Sequence, residues 1–235
     1  MLLSPVQSAL GIVIPVGPGD QAWRGLLPQL KQAGAKDVVL STCRSEDADA
    51  ASAASDVRVV QGACGRGRQL NTGARAVAGD WLWFLHADSR IDTKTLRAMQ
   101  RFVAEDAREI GFFDLRFLDD GPRWMLLNEW GARLRSRGFG LPFGDQGLLM
   151  PRHVFDALGG FDETLASGED HALIWAAHLR GIALRALRAP IRTSARKYAE
   201  RGWLRTTWQH LRLTHAQATR FSREAAARHP RGSIR

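Results

Sequence analysis

The chain has 235 residues, 45% apolar and 24% charged, with a net charge of +9. That size and composition fit one globular domain, alone or with an appendage, and exclude both a disordered chain and a small scaffold needing staples. The charge is uneven: residues 180–235 hold 14 Lys and Arg against two acids, whereas residues 1–179 hold 19 against 22, so the basic excess is C-terminal and suits an anionic partner.

The first elements alternate. Ala9 to Val16 reads as an apolar strand that stops at Gly17-Pro18-Gly19-Asp20, and Trp23, Leu26, Leu27 and Leu30 mark a helix ending at Gly34. Asp37 to Leu40 is a second strand, Ser45 to Ser55 an Ala-rich helix, and Val57 to Val60 a third strand. Gly62 to Gly67 is a Gly-rich loop, and a helix is expected from Arg68 to Val77. Trp81 to Leu85 is apolar on both faces, the mark of a central strand covered from both sides, and ends at His86-Ala87-Asp88.

The second half continues with a helix over Asp92–Asp106, a strand over Gly111–Leu118 and an amphipathic helix over Trp124–Leu134. An irregular loop covers Phe139–Gln146, and Gly147–Met150 is a short strand. Val154–Leu158 and Ala172–Leu179 read as helices, Ile182–Leu187 as a strand, and Trp203–Arg223 as a long basic amphipathic helix. This order predicts an α/β fold, a Rossmann-like, mostly parallel sheet flanked by helices, over residues 1–200, with a helical extension over 201–235. In such sheets ligands bind beyond the carboxyl ends of the strands. The loops at Pro15–Asp20, Ser41–Asp47, Gly62–Gly67 and His86–Asp88 therefore converge on one rim.

Cys43 and Cys64 are too few for a disulfide framework and lack metal spacing, so they are expected as free thiols. Residues Met1–Pro5 lack a basic leader region, and no apolar run approaches a bilayer's span. A cytoplasmic protein, or one peripheral on the inner face of the membrane, is expected.

Asp88 is a candidate ligand for a hard cation, since such an ion needs few protein oxygens when phosphates supply the rest. The plain alternative is a helix cap, shared with Asp92 and Thr93. Arg66, Arg68, Gln69 and Asn71, where the Gly-rich loop enters a helix, suit an anion. For Arg66 and Arg75 a solvated helix face is the expectation. Glu169-Asp170 opens a helix, where both carboxylates favour the helix dipole; their adjacency should also raise at least one pKa.

Read together, Gly65-Arg66-Gly67-Arg68-Gln69-Leu70-Asn71-Thr72-Gly73-Ala74 and Gly79-Asp80-Trp81-Leu82-Trp83-Phe84-Leu85-His86-Ala87-Asp88 resemble the core of the family-2 glycosyltransferases, in a small bacterial subgroup with His-Ala-Asp in place of Asp-Ala-Asp. The similarity resumes at Leu141–Gly147, Leu158–Phe161, Gly168-Glu169-Asp170 and Thr193–Arg196, covering most of residues 10–205.

The resemblance implies the A-type glycosyltransferase fold and inverting transfer of a sugar from a nucleotide-diphosphate donor to an acceptor hydroxyl, with Mg2+ or Mn2+ at Asp88. It implies Asp170 as the catalytic base, with Glu169 as alternate, and Asp145 and Gln146 in a loop facing donor sugar or acceptor. Pro15, Ser41, Arg68, Asn71, His86 and Asp88 are the expected nucleotide and donor contacts. Ser41 stands where relatives carry a base-reading acid, and Glu46 and Asp47 come later.

A nucleotidyltransferase, the second enzyme reading, needs a basic Gly-rich loop after the first strand, which Val16–Asp20 lacks. A degenerate, nucleotide-binding member is a further alternative. Nucleic acid is not expected as a partner, because the tail's aromatics follow the helix's apolar stripe. A lipid-linked acceptor and an anionic membrane surface are the partners that the basic extension suits.

Overall fold

The fold, a computed structural model, is described for residues 10–122 and 124–196 and for Tyr198, Trp208 and Thr219. Strands Leu10–Pro15 (β1), Asp37–Thr42 (β2), Arg58–Gln61 (β3), Trp81–Phe84 (β4), Ile110–Phe117 (β5), Leu149–Pro151 (β6) and Leu184–Thr193 (β7) form one sheet in the order β3-β2-β1-β4-β6-β5-β7. Its pairings are parallel except where β6 runs antiparallel to β4 and β5. The helices are Leu27–Gln32 (α1), Ser45–Ala54 (α2), Arg66–Ala76 (α3), Thr93–Ala104 (α4), Met125–Arg133 (α5), Arg152–Leu158 (α6) and Glu169–Leu179 (α7).

Strand side chains alternate between two cores. Trp81, Trp83 and Leu85 pack with Ile12 and Ile14 against Leu30 of α1 and Met99 and Phe102 of α4. Leu82 and Phe84 pack with Val13 against Leu70 of α3, Phe155 of α6 and Ile174 of α7. β4 is thus apolar at every position because both of its faces are covered.

Three elements differ from expectation for local reasons. The helix anticipated around Trp23–Leu30 breaks into a 3-10 turn at Ala22–Gly25 and the short α1. Pro28 at the start of α1 has no N–H to continue the preceding turn. β7 runs six residues past Leu187, paired with β5 across a bulge between Phe112 and Asp114. Arg188 sits there at φ 53 and Pro190 follows, which hides the strand from an alternation test. α3 begins at Arg66, two residues early, because Gly65 at φ 130 turns the chain into the helix.

The two cysteines are also joined. β2 and β3 run side by side with Thr42 opposite Gln61, so their exit loops are neighbours. Cys43 and Cys64 lie there with Cα atoms 4.8 Å apart and form a disulfide. The expected free thiols are corrected accordingly. The anticipated helix over 203–223 and the extension over 201–235 lie outside the described residues, save Trp208 and Thr219. Among the described residues no helix is long and apolar enough to cross a membrane.

Candidate active site

A cleft of ≈ 400 Å³ opens at the carboxyl ends of β1 and β4, lined by Pro15, Gly17, Asp20, Arg66, Gln69, His86, Asp88, Ser194 and Arg196 among others. The rim predicted from the order of elements is where it lies. Asp88 is half-buried on its wall. No described donor engages its carboxylate. The helix-cap alternative falls away, because Asp92 caps α4: it accepts from Lys94 N at 2.8 Å and Thr95 N at 2.9 Å, and Thr95 Oγ1 returns a bond to Asp92.

Beside the cleft, next to its lining residues Arg66 and His86, lie the first turn of α7 and the loop before β6. Glu169 is only 2% exposed and meets Arg66 Nε at 2.9 Å. Asp170 accepts from Gly144 N at 2.7 Å and His171 N at 2.8 Å, with Arg66 at 4.0 Å. Arg66 also touches His86 Nε2. Gly144 marks the junction: a Cβ there would lie 2.5 Å from Arg66 Nη2, 3.2 Å from Asp170 Oδ2 and 3.3 Å from His86 Nε2. Gly67 lets the starts of α3 and α7 approach, since a Cβ on it would meet Asp162 O at 2.9 Å.

The adjacent acids split. Burial raises the Glu169 carboxyl, opposed by Arg66 and helped by Asp170. Burial raises Asp170 too, but Arg66 and the N–H groups of Gly144 and His171 outweigh it, leaving this carboxyl below its ordinary range. Asp145 is pushed up to about 6, first by burial and also by Asp170 and Asp88, against Arg135 and Arg66. Its Oδ1 is buried without a hydrogen-bond partner. Arg135 itself is lowered by burial, and its guanidinium carbon lies 3.2 Å from the centroid of the Phe143 ring.

Of the residues singled out in sequence, Pro15, His86 and Asp88 line the cleft, and Glu169, Asp170 and Asp145 gather beside it. Others do structural tasks. Asn71 accepts from Phe161 N and donates to Phe161 O and Glu163, pinning α3 to the turn before α7. Gln146 donates to Phe113 O and accepts from Phe143 N, fixing the Asp145 loop. Ser41 is fully buried, with its carbonyl taken by Val16 N and Gln69 and its Oγ unpartnered. Arg68 is exposed and turns back to Cys64 O at 3.4 Å. Asp47 is committed to Gly19 N at 3.0 Å.

Sequence reasoning missed Arg66 and Arg196 as cleft residues. Arg66 was expected on a solvated face, and the earlier start of α3 turns it inward instead. Arg196 sits in the Thr193–Arg196 similarity, which was the available signal; its Nε donates to Ser194 Oγ at 3.0 Å.

The sheet order defines an A-type glycosyltransferase architecture, with the cleft at the rim where Asp88 follows the central strand. Residues 44–159, just under half of the chain, match the family described as Glycosyl transferase family 2. Among solved structures, residues 1–349 of S. aureus TarS align with TM-score 0.58 at 18% identity, over 79% of this chain and 60% of that one. The complex of that fragment with UDP-GlcNAc aligns with TM-score 0.57 at 17% identity, over 79% and 58%. The chain thus spans about 60% of the solved chains it matches, and at these identities the likeness is one of fold. No curated protein matches the chain in sequence.

Proposed function

We propose that the cleft moves a sugar from a nucleoside-diphosphate donor to an acceptor hydroxyl with inversion, assisted by a divalent cation. The observation that carries this reading is an unengaged carboxylate, Asp88, in the same cleft as Arg66, whose guanidinium faces the adjoining Glu169–Asp170 pair. Among the described residues no group of three or more His, Cys, Asp or Glu could cage a metal. Asp88 alone suits an Mg2+ or Mn2+ that takes its remaining ligands from phosphates and water. Bound there, the ion would neutralise charge growing on the leaving diphosphate.

The chain's own groups do the rest. Arg66 and Arg196 offer guanidinium donors to phosphate oxygens. Direct inversion needs a carboxylate to take the acceptor's proton, the role assigned to Asp170, with Glu169 as alternate. Arg66 faces both acids, at 2.9 Å from Glu169 and 4.0 Å from Asp170. An incoming diphosphate competes for that guanidinium and removes the neighbouring cation that most lowers the Asp170 carboxyl. Asp145 and Gln146 then shape the wall that meets sugar or acceptor. The complexes of TarS with UDP-GlcNAc and UDP make a uridine donor the first to try. The basic C-terminal segment suits an anionic membrane surface on the cytoplasmic side, and with it a lipid-linked acceptor.

Calorimetry with UDP and Mn2+ tests the assignment. Asp88→Asn is expected to abolish the metal-dependent part of the binding, while Asp170→Asn keeps it and loses turnover. Unchanged metal-dependent affinity in the first, or near-wild-type turnover in the second, would remove that residue from its role.

A further inference from the structure

α5 is amphipathic in the reverse sense. Its buried face carries Met125, Glu129, Ala132 and, one turn beyond, Ser136. Its outer face carries Trp124, Leu127, Trp130 and Leu134, exposed by 63%, 55%, 64% and 46%. Leu126 and Phe139, each 69% exposed, extend this surface. Six of the protein's eight exposed large apolar side chains, counted among the described residues, lie in these sixteen positions. Isolated exposed apolar residues need no cause, but a contiguous patch marks a contact surface.

The inversion has a local origin. Glu129 points inward because Arg116 and Phe117 N hold its carboxylate there. That commits the helix's one acid to the protein side. From 124 to 139 the exposed positions hold six large apolar residues, two glycines and Arg137, and no acid. The polar side chains that border it within this stretch, Asn128, Arg133, Arg135 and Arg137, are neutral or basic. Tryptophan and leucine on a helix with arginine nearby are what an interfacial helix presents to a bilayer.

Charge points the same way. Tyr198, which stands just before the basic segment in sequence, packs with Met125 and Ala195 in one buried cluster at the first turn of α5. Residues 199–235 hold eight Arg against Glu200 and Glu224. At the other end Phe139 leads within six residues to Asp145 at the cleft.

We propose that the outer face of α5 and Phe139 rests on an anionic phospholipid bilayer, seating the Asp145 side of the cleft at the lipid surface. This surface is distinct from the cleft's chemistry and from the basic tail, since it lies on α5 of the domain itself.

Flotation of the full chain with phosphatidylglycerol–phosphatidylcholine vesicles at low salt tests the proposal. The wild type is expected to float with these vesicles and not with phosphatidylcholine alone. Trp130→Glu and Leu127→Glu should each weaken vesicle affinity by about tenfold while thermal unfolding stays unchanged, since each removes one exposed apolar side chain from the lipid contact. A wild type that stays unfloated, or variants that float as well as it does, would overturn the proposal. So would a wild-type dimer in solution that Trp130→Glu turns into a monomer, which would identify the face as a self-contact. None of these readouts depends on donor binding, so the sugar-transfer reading stands or falls separately.

Discussion

Replacing Asp145 by Asn separates what the site costs the fold from what it contributes to chemistry. The Asp145 carboxyl is half-buried, with Oδ1 unpartnered, and is pushed up from 3.8 to about 6. The folded protein therefore keeps this proton up to about pH 6, whereas the unfolded chain releases it near 3.8. Between those values the native state binds more protons, so stability falls as pH rises through the window. Above it the full difference of about two pH units, at about 1.4 kcal/mol each, weighs against folding by roughly 3 kcal/mol. The attraction of Arg135 is already counted in that net shift. Asn carries no charge to desolvate, so Asp145→Asn should be more stable than wild type by about 1–3 kcal/mol near pH 8, and nearly equal to it near pH 4. Urea unfolding at the two pH values measures this, with sugar transfer assayed on the same preparations. Gained stability with lost turnover is the combination expected of a group kept for function. An equal stability difference at both pH values, or a less stable variant near pH 8, would refute the reasoning.

Asp92→Ala should cost about 1–2 kcal/mol in urea unfolding through loss of the α4 cap. Burial acts to raise this carboxyl, but its bonds to Arg192 and Thr95 hold it low, so the cap's contribution is present at neutral pH and lost on acidification through the lowered pKa; an unaffected midpoint would count against the cap. Thiol titration of the unfolded chain should find no free thiols until a reductant is added. Opening the Cys43–Cys64 link, which spans 21 residues, should then lower stability by roughly 3 kcal/mol, and two thiols without reductant would disprove the pairing.

Much of the fold was legible because its signals are local. β4 announces itself by being apolar at every position, and α4 by its Asp92 cap followed by Met99, Phe102 and Val103. The places of the candidate residues were legible at Asp88 and Glu169-Asp170, which follow a central strand and begin a helix. Arg66 was not, since its direction turns on whether α3 starts at 66 or 68. That choice is made by the backbone at Gly65, not by any hydrophobic pattern. The disulfide was equally hidden. Nothing in the spacing of Cys43 and Cys64 says that β2 and β3 will be neighbours in parallel, yet that pairing alone brings the two loops together.

α5 shows a deeper limit of pattern reading. Its period was recognised as helical, and periodicity alone cannot say which face is buried; the usual assumption gives the core to the apolar side. Here the assumption fails because a polar group has fixed partners inside. Glu129 is held by Arg116 and the backbone of β5. With that carboxylate satisfied, the helix leaves Trp124, Leu127, Trp130 and Leu134 outside. A chain that only needed α5 for packing would do better with the opposite face inward, since each large apolar side chain buried is worth about 1.5–3 kcal/mol. The four outward residues therefore represent several kcal/mol that the isolated fold does not collect. That stabilisation becomes available when an apolar surface covers the helix, and the same covering would orient the cleft toward it.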